Sequence, residues 1–381
     1  MIAQTARRIG WPTYLGLLIA AAGVAVGILR LAWGLGRTTN LTDAAPWGIW
    51  VIVDDTVGIA LAAGGFVIAA AVYSLGLQRY RVLLRPALLT ALLGYMMVIF
   101  SLVFDLGRPW NIWRVIPTWQ PSSVMWAVGW SVIVLTVVLG VMLSPVFLER
   151  LGLHGAARRV MAGFLPLVLL GAIFSVLHQT ALGGLFLAIP DKLHAMWYSP
   201  LLPLHFLLSA VGAAIAMVIL ESKLSSRLLG HKVEHDVLAS LAKPAAMILG
   251  LYLALRVGDV IGRGAFDTVS EATPQFISFL IEIVFGVALP VVLFLTPAVA
   301  RSPRLLVVPA LLAVGGVFIN RINVGIVGIS NYEGYVYMPS WMEYVLTFGI
   351  TAAGVVAFSF VGKFMPLFHE EVLSSADSTG A

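Results

Sequence analysis

The stretch "PWGIWVIVDDTVGIALAAGGFVIAAAVYSLG", Pro46 to Gly76, decides the class of this chain. A membrane span takes about 20 mostly apolar residues, and this segment is long and apolar enough. Yet two adjacent carboxylates, Asp54 and Asp55, stand within it. A charge at bilayer depth costs at least ~2.5–3.5 kcal/mol on insertion scales. Acids retained at that cost are candidate functional groups.

The rest of the chain agrees with a membrane reading. Of 381 residues 60% are hydrophobic and only 11% charged, and the mean hydropathy is +0.99. A soluble protein carries about a quarter charged residues, so a water-facing surface cannot be built from this sequence. The net charge of +5 is a topology signal, and nothing points to nucleic acid. With no cysteine, the chain can hold neither a disulfide nor a cysteine-ligated iron–sulfur cluster. The start, "MIAQTARRIGW", runs into an apolar segment without a small-residue cleavage site, so no cleaved signal is expected.

Hydropathy gives ten candidate spans, at 11–35, 47–75, 86–106, 122–148, 160–180, 199–221, 239–258, 275–297, 304–321 and 341–364. The expected fold is all-α, a polytopic membrane helix bundle. Residues 1–368 form one transmembrane domain, and 369–381 form a polar, disordered tail. No internal repeat is evident. An N-terminus on the cytoplasmic side collects 15 of the 23 Lys and Arg residues on that side, which places both termini inside. The outer loops are longer and rich in Trp, Tyr, Pro and Asn, which suits a docking surface.

On this topology Asp54, Asp55, Asp105, Asp259, Glu282 and Glu343 lie in the outer half, and Glu149 and Glu221 close the fourth and sixth spans on the inner side. Several have plain structural explanations. Asp105 with Arg108 reads as an ion pair at a helix end, Glu343 as a first-turn acid favoured by the helix dipole, and Glu149, Glu221 and Asp259 as solvated span ends. Asp54 and Glu282 are too deep for that. Adjacent helical residues point about 100° apart, so Asp54 and Asp55 face different neighbours. The chemistry is assigned to Asp54, and Asp55 is left as a helix–helix contact. Only His178 and His205 are membrane-embedded histidines, where a di-haem cytochrome b would need four. Small residues in "GIALAAGG" mean close helix packing.

The motifs "PWGIWVIVDDTVGIALAAGG", "FDLGRPW", "SVMWAVGW", "LHQTALGGLFLAIPDKLHAMWYSPLLPLHF", "VFGVALP" and "NRINV…YVYMPSWMEY" resemble the NrfD/PsrC superfamily of quinone-interacting membrane subunits. The nearest branch is HybB, which serves periplasm-facing [NiFe] hydrogenases; subunits of sulfite-reductase-linked (DsrP-type) and cytochrome-linked (Hmc-type) complexes are similar. The resemblance implies a haem-free subunit in the cytoplasmic membrane. It implies a ferredoxin-like iron–sulfur subunit docked on the periplasmic face, hydrogenase small and large subunits as catalytic partners, and menaquinone bound near that face. It also implies possible coupling to proton translocation. One departure stands out: Ala127, in "SVMWA", occupies a position where the branch is expected to carry glutamate. Glu221 fits the family's inner-side acid.

Quinone reduction takes two electrons and two protons, so the site needs hydrogen-bonding groups within ~3 Å of the carbonyl oxygens. His178 is expected to bond one carbonyl. Asp54 is expected to exchange a proton or orient that histidine, with Gln179, Asp105, Arg108 and Trp47 around the ring. Glu282 is the candidate relay, and Glu221 and Glu149 the inner mouth. A transporter or channel and a passive anchor remain as alternatives of other classes.

Overall fold

The computed structural model describes residues 10–43, 45–189, 192–230, 233–268, 273–329, 337–365 and 367. The polar tail expected after residue 368 lies outside the described residues. Within them the regular structure is helical throughout, and ten helices are long and apolar enough to cross a membrane. They are α1 (Trp11–Trp33), α2 (Val51–Tyr73), α3 (Gln78–Asp105), α4 (Val124–Arg150), α5 (Phe164–Leu187), α6 (Leu202–Leu228), α7 (His235–Gly262), α8 (Pro274–Leu295), α9 (Val307–Val327) and α10 (Trp341–Phe364). In a bilayer each helix satisfies its own backbone, which is why so apolar a chain resolves into helices.

Two boundaries move the site residues. The fifth span was expected at 160–180 but runs Phe164–Leu187. The segment before it, with Arg158 and Arg159, forms its own short helix, His154–Ala162, which stops at Gly163. His178 therefore lies nine residues inside the end of α5, about 14 Å along the axis. Likewise α6 runs to Leu228, so Glu221 sits within the helix and is buried.

The packing divides the bundle into two rings of four. Helices α2, α3, α4 and α5 close one ring, with α2 against α3 and α5. Helices α6, α7, α8 and α9 close the other, with α9 back against α6. The rings join where α5 and α2 meet α6 and where the start of α2 meets α9. α1 and α10 form a pair that leans on α3. The "GIALAAGG" segment sits at the junction. A Cβ on Gly65 would come within 2.8 Å of the Ala87 carbonyl of α3, and one on Gly64 within 3.1 Å of the Ala214 carbonyl of α6.

The rings are an internal repeat that the sequence reading missed. Arg85-Pro86-Ala87 leading to Tyr95 in α3 corresponds to Lys243-Pro244-Ala245 leading to Tyr252 in α7. Ser123 and Thr273 cap α4 and α8 in the same way, each accepting from the backbone N–H three residues on. "LLGAIFSVLHQ" (169–179) of α5 matches "LLAVGGVFINR" (311–321) of α9 without a gap. Five residues past His178 and Asn320 come Gly183 and Gly325. A Cβ on Gly183 would strike Pro203 at the start of α6, and one on Gly325 would strike Ile52 at the start of α2. Each ring thus seats its last helix, through a glycine, on the first helix of the other.

Three helices carry a π turn: Val51–Val57 in α2, Val284–Ala288 in α8 and Asn323–Val327 at the end of α9. Such turns widen the helix locally and recur at functional sites. We call the side on which α1 ends and α2 begins the far face.

Candidate functional site

The π turn of α2 carries both aspartates, and it overturns their expected division of labour. Asp54 turns toward α10, where its Oδ1 accepts from the Thr351 hydroxyl at 3.2 Å. Asp55 turns into the first ring, and its Oδ1 stands 3.6 Å from Nε2 of His178. The histidine is therefore paired with Asp55 rather than Asp54. The two face different neighbours, as the helical angle requires, but the apolar pattern does not say which of them meets His178, and the π turn shifts the direction of the residues that follow it.

Around His178 the first ring gathers a polar cluster. The Tyr95 ring of α3 meets the imidazole edge-on at 5.8 Å between centroids. Gln179 follows on α5. Asp55, Tyr95, His178 and Gln179 are all at most 2% exposed. Among the described residues, Asp55 Oδ1, both His178 nitrogens and both polar atoms of the Gln179 amide have no hydrogen-bond partner, and neither has Asp54 Oδ2; the Tyr95 hydroxyl has Ser175 beside it. Each buried unsatisfied group costs roughly 1–3 kcal/mol, so a fold does not collect them in one place without use.

The matching place in the second ring is filled differently. The Glu282 carboxylate of α8 accepts from Asn320 Nδ2 at 2.8 Å, Asn323 Nδ2 at 2.7 Å, Trp197 Nε1 at 3.3 Å and the Tyr252 hydroxyl at 3.4 Å. Arg321 bonds the Asn320 side chain, donates to the Phe206 carbonyl and Ser209 hydroxyl at 3.1 Å each, and lies 3.6 Å over the Phe206 ring. Asn320 and Arg321 occupy the repeat positions of His178 and Gln179. The Glu282 carboxylate is thus matched by four donors, and it lies in the other ring from His178; elsewhere in that ring Arg321 Nε, Arg256 Nε and both His205 nitrogens have no hydrogen-bond partner among the described residues. Tyr95, Tyr252, Asn320 and Asn323 were missed as site residues. The "NRINV" motif and the repeated tyrosine were the signals available.

The remaining expected residues are placed apart from the His178 cluster. Asp105 Oδ1 accepts from Trp50 Nε1 at 3.0 Å. Arg108 is exposed and, among the described residues, makes no ion pair with Asp105. The cation at that helix end is instead Arg30 of α1, which donates to the Phe104 carbonyl at 2.9 Å and the Leu106 carbonyl at 2.8 Å. The reason is position: Arg108 follows the end of α3 and turns to the surface, whereas Arg30 arrives from the side. Trp47 is half-buried and packs edge-on against Phe186 at 5.1 Å. On the opposite side of the bundle, Glu221 accepts from Thr90 at 2.7 Å, and Glu149 is bridged twice by Arg85, at 2.6 and 2.9 Å. Glu343 closes a capping box with Ser340. Asp259 is bound by Arg263 and Ser199.

His205 belongs to the second ring, where it meets Tyr252 edge-on at 6.0 Å. The two buried span histidines thus pack against different tyrosines in different rings. Among the described residues no group of three or more His, Cys, Asp or Glu is arranged to hold a metal ion.

Comparison with known proteins agrees with this architecture. Residues 37–333 match the family described as polysulphide reductase, NrfD. A protein of Nitratidesulfovibrio vulgaris is 35% identical over 366 residues, 93% of each chain. The probable Ni/Fe-hydrogenase 2 b-type cytochrome subunit of Escherichia coli is 30% identical over 348 residues, 89% of this chain and 88% of the relative. The menaquinone reductase integral membrane subunit of Nitratidesulfovibrio vulgaris is 25% identical over 372 residues, 90% of this chain and 87% of the relative. The chain belongs to the NrfD family.

Proposed function

We propose that this NrfD-family chain is the quinone-reactive membrane subunit of a respiratory oxidoreductase. The buried cluster of Asp55, His178 and Gln179, in which Asp55 Oδ1, the imidazole nitrogens and the amide atoms lack hydrogen-bond partners and Tyr95 packs alongside, is the observation that carries the reading. A quinone ring offers two carbonyl oxygens that need donors, and two protons must follow two electrons. His178 donates to one carbonyl oxygen as reduction turns it into a phenolate. Asp55, 3.6 Å behind it, stabilises the imidazolium when the histidine holds a proton and orients the ring. Tyr95 and Gln179 supply the other donors. Glu282, already bonded by four neighbours, acts in this reading as a fixed acceptor of the second ring rather than a group that touches quinone. Glu221 and Glu149 lie toward the opposite face.

In the finer reading the far face is periplasmic, both termini are cytoplasmic, and the membrane is the inner one. An iron–sulfur subunit docks on the far-face loops and passes electrons inward. The hydrogenase name of the Escherichia coli relative favours hydrogenase catalytic subunits as partners, and the name of the Nitratidesulfovibrio relative favours menaquinone. No haem takes part in this reading. A bis-histidine haem needs two imidazoles opposed across the macrocycle, and His178 and His205 pack in separate rings.

The test uses the intact complex. Asp55→Asn and His178→Ala should abolish quinone-linked turnover and leave dye-linked activity of the catalytic partner in place. Undiminished quinone reduction in both variants refutes the site. Identification of the subunits that copurify decides the partner.

A further inference from the structure

The seam between α4 and α5 opens near the far face into a cleft of about 220 Å³. Ser123, Val124 and Ala127 form one wall, and Leu177, Ala181 and Gly184 the other. We propose that this cleft is the passage by which the isoprenoid chain of the quinone leaves the His178 cluster for the bilayer, held open by Ala127 and Gly184. The inference rests on the reading of that cluster as the quinone site.

Size selects the occupant. Pockets for whole small molecules run to about 300–1,000 Å³, so this cleft takes a fragment, such as a stretch of hydrocarbon chain. Position agrees. Leu177, on its rim, is 39% exposed on the lipid-facing side of the bundle. Ala181 lies three residues past His178, hence on the adjoining strip of α5. It packs in the same apolar cluster as Ile52, in the π turn that bears Asp55. Ala181 therefore borders the cleft on one side and belongs on the other to the apolar cluster that contains Ile52. The packing also leaves room: a Cβ on Gly184 would meet nothing nearer than Val124 at 3.8 Å. Beside Ala127, the buried Nε1 of Trp126 has no partner. Lipid tails are as apolar as the protein, so hydrophobic transfer cannot hold a chain here. What the cleft supplies is a path, and its blockage should act by steric exclusion.

The experiment measures KM in the purified complex, with reduced dye as donor, for a tail-less naphthoquinone and for analogues with one to four prenyl units. Ala127→Phe fills the cleft from α4. Gly184→Val narrows it from α5 and provides a second arm should the first variant not assemble. The expected result is a KM for tailed quinones that rises about tenfold or more relative to the tail-less one, the scale of over-packing penalties. An unchanged ratio in both variants removes the tail from this cleft and leaves a phospholipid acyl chain as its occupant. An equal rise for all quinones also overturns the proposal. Neither of those outcomes touches the quinone-site reading, which falls if Asp55→Asn and His178→Ala both reduce every analogue as wild type does.

Discussion

Replacing Glu282 by leucine should destabilise the second ring in a way that glutamine partly repairs. Leucine removes one acceptor group and strands four donors: Asn320 Nδ2, Asn323 Nδ2, Trp197 Nε1 and the Tyr252 hydroxyl. Interhelical hydrogen bonds in membranes average about 0.6 kcal/mol, which gives about 2 kcal/mol for four. The full penalty for unsatisfied buried donors is about 1–3 kcal/mol each. Only the two asparagine bonds are short, so the loss should fall near 2–4 kcal/mol, with the asparagines dominating. Glutamine keeps one carbonyl oxygen for Asn320 and Tyr252. Its amide then opposes the Asn323 amide and Trp197 Nε1, and Asn323 is held against flipping because its Nδ2 also donates to the Ser278 carbonyl at 3.3 Å while its Oδ1 accepts from the Ser278 hydroxyl at 2.5 Å, so the repair is partial. Equilibrium unfolding of the purified protein in mixed micelles reads both variants. If Glu282→Leu is no less stable than Glu282→Gln, the network does not hold the ring, and the contrast drawn between the two centres fails.

Asp54→Asn should spare quinone turnover. Asparagine still accepts from Thr351, and one weakened hydrogen bond is worth about 1 kcal/mol, or roughly fivefold. A loss as deep as that of Asp55→Asn would return the chemistry to Asp54. Gly325→Ala should lower both stability and quinone turnover, because its Cβ would stand 2.2 Å from Ile52 Cδ1, beside the aspartates. Over-packing costs about 1–3 kcal/mol, and the double variant Ile52→Ala/Gly325→Ala should recover most of it. Absence of rescue would mean that α2 and α9 do not meet there.

Ten spans were legible because bilayer hydropathy is a strong signal and loops are short. The position of α5 was not, since the charged helix His154–Ala162 reads as the start of a span until its own stop at Gly163 is seen. The aspartates were legible as costly and not as oriented: direction along a helix depends on hydrogen-bond register, and one π turn changes it. The Asp105–Arg108 pairing failed for a related reason. Sequence nearness favours Arg108, while packing delivers Arg30 from 75 residues away in the chain.

The repeat was hidden because its polar positions changed identity, and that change bears on function. At one address the first ring has His178 and Gln179, and the second has Asn320 and Arg321. Two rings of the same architecture thus present the same geometry to different side chains. In the second ring, asparagines and a tyrosine close around one carboxylate, and the cost of burying it is offset within the protein. In the first ring, Asp55 Oδ1, both His178 nitrogens and the Gln179 amide stand unmatched, with Tyr95 beside them. Burial is equally deep in both, so depth does not distinguish the two carboxylates; the four donors around Glu282 do. A polar centre that completes itself fixes structure, and one that leaves donors and an acid in proximity suits the proposed completion by a molecule with carbonyl oxygens and a demand for protons.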